Sequence, residues 1–204
     1  MTKRPRVTAQ ELQDRLNQDP EFIKRQAEKQ RSRIRRSEAN QLLQKPILDD
    51  LHLADIHVLC ISEVTKLPKV LKVKAFSILA RHLHFEHPQC IMAGLIAALS
   101  DKDAKMVVKE LLAEFIKLHS TGIANNAKWQ LGFALYRLRR YIPVQTLIAL
   151  AQDTRHRSER MGIIYALGKR KKDPRVAAVL TKLTTDSDIG GHARKALLGE
   201  KFWC

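Results

Sequence analysis

The sequence predicts an all-α fold, a solenoid of helix pairs stacked side by side behind an N-terminal helical cap or arm. Three observations predict it. The block Lys128-Trp129-Gln130-Leu131-Gly132-Phe133-Ala134-Leu135 returns 32 residues later as Arg160-Met161-Gly162-Ile163-Ile164-Tyr165-Ala166-Leu167, and about 30 residues further as Gly191-His192-Ala193-Arg194-Lys195-Ala196-Leu197-Leu198. The first two copies are each followed by a second apolar stretch, 143–151 and 174–183. A helix pair recurring at this period leaves its apolar face uncovered unless the next pair stacks on it. Finally, the apolar spacing is near 3.6 throughout, with no β-branched alternation between hairpin turns.

The elements follow in order. Thr8-Ala9-Gln10-Glu11 has the form of a capping box and starts a short helix that ends near Asn17. Asp19-Pro20-Glu21 starts the next with a cap, a proline at the first position and an acid in the first turn. That helix is expected to reach about Leu43, because Pro46 disfavours continuation. Its apolar positions are sparse (Phe22, Ile23, Ala27, Ile34, Leu42, Leu43), so it either crosses the repeats by a thin stripe or stands out as an arm. Residues 1–45 thus form a basic helical cap or arm, and 46–204 the repeat domain. Two short helices are expected over about 47–53 and 55–66, a longer one over 69–83, and one over 88–99. After the turn Ser100-Asp101-Lys102-Asp103, helices follow at about 104–118, 124–138, 142–152, 158–169, 174–184 and 189–199. Asp173-Pro174 and Asp186-Ser187-Asp188 are start signals. Only about 23 residues separate Leu111-Leu112 from Ala134-Leu135, so two long helices joined by Ser120-Thr121-Gly122 are expected at that irregular point.

Composition bounds the function. The chain has 204 residues, enough for one domain with or without a helical arm, and 45% of them are apolar. No apolar run reaches the roughly 18–20 residues that cross a bilayer, and the basic N-terminus lacks the apolar stretch of a signal peptide. The expectation is a cytoplasmic protein without a membrane partner. Cys60, Cys90 and Cys204 are odd in number and widely spaced, which implies reduced thiols, the first two in the core. The net charge is +16, and it is uneven. Residues 1–36 carry a net of +6, residues 37–119 are neutral, and residues 120–204 carry 16 basic against 6 acidic side chains. Such a field implies an acidic partner; the competing reading is solubility alone.

From about Leu67 to Leu198 the sequence resembles bacterial HEAT-like repeat proteins, a subset of the armadillo-type solenoids. The resemblance rests on Leu83 with Pro88, Ala97-Ala98-Leu99, Lys128-Trp129 with Ala134-Leu135, Ala166-Leu167-Gly168, Asp173-Pro174 and Gly191-His192-Ala193. The front end looks like the helical cap that precedes such repeats in small bacterial proteins. The resemblance implies a right-handed α-solenoid. It implies no particular activity, since these arrays serve as scaffolds, immunity-type inhibitors, chaperones and occasionally DNA-binding enzymes.

Solenoids bind through the second helix of each pair, here about 104–118, 124–138, 158–169 and 189–199. The candidate partner-binding residues on these are Lys128, Trp129, Arg137, Arg160, Arg194 and Lys195, with Arg155, His156 and Arg157 at a helix mouth. Trp and Arg dominate binding hot spots because they combine apolar area with directional donors. Trp129 has two readings, a core residue or a surface anchor. Arg155, His156, Arg157 and Arg160 place four cationic groups within six residues, which repel one another without an anion. Lys169, Arg170, Lys171 and Lys172 follow a helix C-terminus, where cations complement the macrodipole. With Arg139 and Arg140 they form the alternative, a phosphate-binding ridge, to which Arg31, Arg33, Arg35 and Arg36 add a basic run. His82, His84, His87 and Cys90 suit zinc in type, but their spacing at a helix end points them apart, and no metal or other cofactor is expected. No Gly-rich phosphate loop, Cys-x-x-Cys pair or GxSxG turn is present, and Asp153 reads as a helix-end cap rather than a general base. The reading is therefore a non-enzymatic protein-binding scaffold, immunity-type or chaperone-like, that holds an acidic partner protein. The alternative is a nucleic-acid-binding protein.

Overall fold

A computed structural model of the chain describes residues 8–118 and 126–200. The fold is all-α; among the described residues there is no strand, and no helix is long and apolar enough to cross a membrane. The chain divides into two compact units between Leu43 and Gln44. In the first, α1 (Ala9–Gln18) opens on the expected capping box. Thr8 N–H donates to Glu11 Oε2 at 2.9 Å, and Glu11 N–H donates to Thr8 Oγ1 at 3.2 Å. The Thr8 N–H, and after it the Thr8 hydroxyl, which also donates to Glu11 Oε2, hold the Glu11 carboxyl below its ordinary pKa.

The next helix departs from expectation. α2 (Pro20–His52) starts where predicted, with Asp19 Oδ1 accepting from the N–H groups of Glu21 and Phe22, but runs through Pro46. A proline inside a helix removes one N–H and crowds the carbonyl four residues before it. Here Pro46 and Leu42 are both exposed, so water can take the lost bond, while Ile47 and Leu51 in the following turn are fully buried. Core packing thus outweighs the local penalty. The separate helices expected at 47–53 and 55–66 are replaced by the end of α2, a turn with Asp55 at φ 60°, and a 3₁₀ segment, Ile61–Lys66.

The second unit continues with α3 (Lys69–His82), α4 (Gln89–Leu99), α5 (Val108–Lys117), α6 (Asn126–Arg137), α7 (Val144–Gln152), α8 (Met161–Gly168), α9 (Pro174–Leu183) and α10 (Gly190–Leu198). Each odd-numbered helix here packs on the even one that follows it. The even helices also pack on one another in sequence, α4 on α6, α6 on α8 and α8 on α10. Contacts advance in step, Gly132 against Gly162 and Arg139 against Arg170, then Tyr165 against His192 and Gly168 against Ala196, so α6, α8 and α10 run parallel. This places α4, rather than the residues 104–118 expected, in the row with α6, α8 and α10. The short interval before Ala134 is explained by the same pairing: α5 and α6 are the two halves of one pair. The turn Ser120-Thr121-Gly122 lies outside the described residues, as does Cys204. Cys90 is exposed and Cys60 half-buried, against the expectation of core thiols.

One close approach sets the α6–α8 spacing. A Cβ added to Gly162 would stand 2.1 Å from the Gly132 carbonyl oxygen, and one on Gly132 would stand 2.8 Å from the Glu159 carbonyl oxygen. Backbone meets backbone there, and neither side can give by a rotamer change. We predict that Gly162→Ala lowers stability in urea titration by about 1–3 kcal/mol or more, the cost of overpacking a core that cannot relax. Gly94 in α4 has nothing within 4 Å of its would-be Cβ. Gly94→Ala is expected to raise stability by about 0.4–1 kcal/mol through the unfolded chain's lost freedom.

Candidate functional site

Several of the cations that sequence spacing sends to the surface are inside. Arg160 is fully buried. Its Nε donates to the Arg157 carbonyl at 2.8 Å, Nη1 to the Ala151 carbonyl at 2.9 Å, and Nη2 to both oxygens of Asp186, at 3.1 and 2.9 Å. Arg157 adopts φ 42°, ψ −134°, a rare conformation for a side-chain-bearing residue, and in it offers its carbonyl to Arg160. Asp186 meanwhile accepts from the N–H groups of Asp188 and Ile189. These donors, with Arg160, hold its carboxyl below the usual range against the opposing effect of burial.

Lys128, at the equivalent place in the preceding repeat, is also fully buried. Its ammonium donates to the carbonyl of Leu118, just past α5, and lies 5.5 Å from the centre of the Phe115 ring. Burial lowers its pKa, with Glu159 and Asp153 opposing. His156 is 2% exposed, its ring centroid 4.9 Å from that of Phe115 and its Nε2 3.5 Å from Asp153 Oδ2. Burial first, and the Lys128 charge second, push its pKa down. Asp153 caps the following turn through Arg155 N–H and takes the Arg155 guanidinium on both oxygens, which lowers its pKa to about 2. Arg157 lies 4.0 Å from Asp188. Of the four clustered groups, Arg155, Arg157 and Arg160 therefore find their anions within the chain, in Asp153, Asp186 and Asp188, and burial disfavours the charged form of His156. Lys128, His156 and Arg160 are not surface contacts, and Arg155 is already ion-paired.

What remains outside is a narrower set. Trp129 is 37% exposed and stacks on Phe133, with ring planes 6° apart and centroids 6.3 Å apart. Of its two readings, the surface one is closer. Arg137, Arg194 and Lys195 are exposed. Along the ridge, half of the basic groups are spent on helix ends. Arg139 donates to the Tyr136 carbonyl and lies over that ring at 4.8 Å; Arg170 donates to the Arg139 carbonyl, and Lys171 to that of Leu197. Arg140, Lys169 and Lys172 stay exposed. In the first unit, Arg31, Arg33 and Arg35 are exposed on α2.

The histidine turn is divided among different carboxylates. His82 Nε2 lies 3.1 Å from Asp50 Oδ2, and His84 Nδ1 lies 2.9 Å from Glu114 Oε1. Among the described residues no three His, Cys, Asp or Glu side chains converge as a metal site would require.

No family model, curated protein or solved structure matches the chain.

Two outcomes follow from the buried cations. Arg160→Ala strands Asp186 and two carbonyls, and should cost about 3–5 kcal/mol in urea titration, as for removing one partner of a buried pair. Arg155→Ala, on a pair whose arginine is exposed, should lower the urea midpoint far less than Arg160→Ala. The pH dependence has a definite sign. His156, His87 and His192 all have depressed pKa values in the folded state, so the unfolded chain binds protons first as pH falls. Their contribution is intact above an ordinary histidine pKa of about 6.5 and is lost as pH falls through the lowered folded values. The urea midpoint should be lower at pH 5 than at pH 7.5. His156→Gln should narrow that difference without abolishing it, since His87 and His192 remain.

Proposed function

We propose that this chain is a non-enzymatic protein-binding scaffold, a HEAT-like α-solenoid that holds an acidic partner protein on the basic face of its later repeats. The pairing of helices, and the stacking of α4, α6, α8 and α10 in sequence, support the solenoid reading. One observation carries the functional reading: how the charge in residues 120–200 is disposed. Asp153, Asp173, Asp186 and Asp188 are engaged by arginines of the same segment, and Glu159 is buried beside Lys128. Arg137, Arg140, Lys169, Lys172, Arg194 and Lys195 are exposed and make no ion pair with a described carboxylate. The one remaining acid of the segment, Glu200, is exposed, against these six exposed bases. A surface with that surplus draws an acidic partner, quickly at low salt and more weakly as salt rises.

The second reading, nucleic acid bound through the ridge, is favoured by the exposure of Arg140, Lys169 and Lys172 together. It is weakened by position. The ridge lies at the C-terminal ends of α6 and α8, where no backbone N–H groups point outward to receive phosphate. Anisotropy titrations of a labelled random-sequence duplex and a single strand, across a salt series, decide between the two. The scaffold reading expects no binding tighter than about 100 μM at physiological salt, weaker than ordinary non-specific DNA binding. Micromolar binding that is steeply salt-dependent, and lost in Lys169→Glu with Lys172→Glu, would replace it with the nucleic-acid reading.

A further inference from the structure

Between α4 and α6 the second unit has a cleft of about 180 Å³. Its α4 side is Ala93, Ile96 and Ala97, and its α6 side is Gln130, Phe133 and Arg137. Ser100 also reaches it, but its hydroxyl is already spent on the Ile96 carbonyl at 2.7 Å. The small residues of α4 make the hollow. Ala93 is half-buried and Ala97 exposed, at positions where a larger side chain would close it. Opposite them Phe133 is held by rings on both sides, Trp129 at 6.3 Å and Tyr136 at 6.2 Å. The apolar wall is therefore braced before anything binds.

Arg137 is the one charged residue among the described residues that line the cleft. It is exposed and makes no ion pair with a described carboxylate. Arg140 lies exposed one turn further along the chain. The acids nearest in sequence to the α4 end, Asp101 and Asp103, are taken by Lys72 at 3.2 and 3.7 Å. The cleft thus offers a mostly apolar, open slot of a size that holds one ring or branched chain, about 150 Å³ being enough for benzene. Beside the slot stands a bidentate donor with no carboxylate partner among the described residues.

We infer that the α4–α6 cleft is the anchor point of the scaffold, taking one large apolar side chain from an acidic segment of the partner while Arg137 takes a carboxylate next to it. This rests on the acidic-partner reading and makes it specific. Affinity would come from the buried anchor, and attraction and orientation from the charge. A nucleic acid strand fits less well, because Trp129 and Phe133 turn their faces to each other rather than outward for a base.

The test uses the full chain and two fluorescein-labelled peptides, Gly-Glu-Glu-Phe-Glu-Glu-Gly and the same peptide with Ala for Phe, by anisotropy at low and physiological salt. The Phe peptide should bind about tenfold or more tightly than the Ala peptide, the increment from burying one aromatic side chain. Ala97→Leu, which fills the slot at an exposed helix position, should remove that increment and leave the Ala peptide's affinity unchanged. Arg137→Glu should weaken both. Equal binding of the two peptides, or an increment that survives Ala97→Leu, overturns the cleft as anchor while the acidic-partner reading stands on diffuse charge. No binding of either peptide, with salt-sensitive binding of a labelled single strand, overturns both. No binding of any probe also overturns the anchor.

Discussion

The Arg160 guanidinium is the tie on which the later repeats depend. It is a cation removed entirely from water, and such a charge persists only where every donor has a well-placed acceptor. Its acceptors come from three places: the end of α7, the turn 154–160, and Asp186 in the connection from α9 to α10. One side chain therefore sets the position of two connections and a helix end. The same bond explains the rare backbone at Arg157, whose carbonyl is one of the acceptors, and the identity of Asp186, which serves both the guanidinium and the turn into α10.

Lys128 shows that this is a repeated device. The two cations stand 32 residues apart at the same place in the repeat, and each donates to a carbonyl at the end of the helix before it. The last carbonyls of a helix have no partner within it, and the helix end carries partial negative charge. A buried cation meets both needs. The two versions differ in chemistry. Lys128 meets the Leu118 carbonyl and the Phe115 ring, with the Glu159 and Asp153 charges opposing the effect of its burial, and Arg160 meets two carbonyls and the Asp186 carboxylate.

How much of this was legible follows from which forces act locally. The capping box at Thr8 and the starts at Asp19 and Asp173 are set by neighbours within four residues, and sequence spacing finds them. The run of α2 through Pro46 was not legible, because it depends on Ile47 and Leu51 reaching a core built by distant residues. The burial of Arg160 was not legible for the same reason. Charge is sent to the surface by default, and the exception needs an acid 26 residues away to be recognised as its partner. A signal existed. Asp186 and Asp188 follow the repeat at the interval that returns a helix start to the previous pair, and a basic residue recurring at one repeat position invites a structural role. Trp129 and Arg137 were legible as candidates, but the hollow between them and α4 was not, since it is made by the small size of Ala93 and Ala97 on another helix.

Burying some cations changes the meaning of those left outside. Had all the charges in residues 120–200 been solvated, the surplus would read as solubility alone. Instead the acids are drawn inward or into short pairs, Asp186 to Arg160 and Asp153 to Arg155, and the stability of the fold consumes most of the negative charge. The exposed bases are then a consequence of how the repeats are joined, and a net positive field is left on the outside, with Glu200 the unpaired acid among them. A partner that supplies carboxylates restores the balance without competing with any internal pair. Reversing exposed charges such as Lys169 and Lys172 should accordingly alter association while sparing the fold, whereas changing Arg160 should break the fold before it touches association. That separation of surface from interior cations is what allows binding and stability to be measured apart.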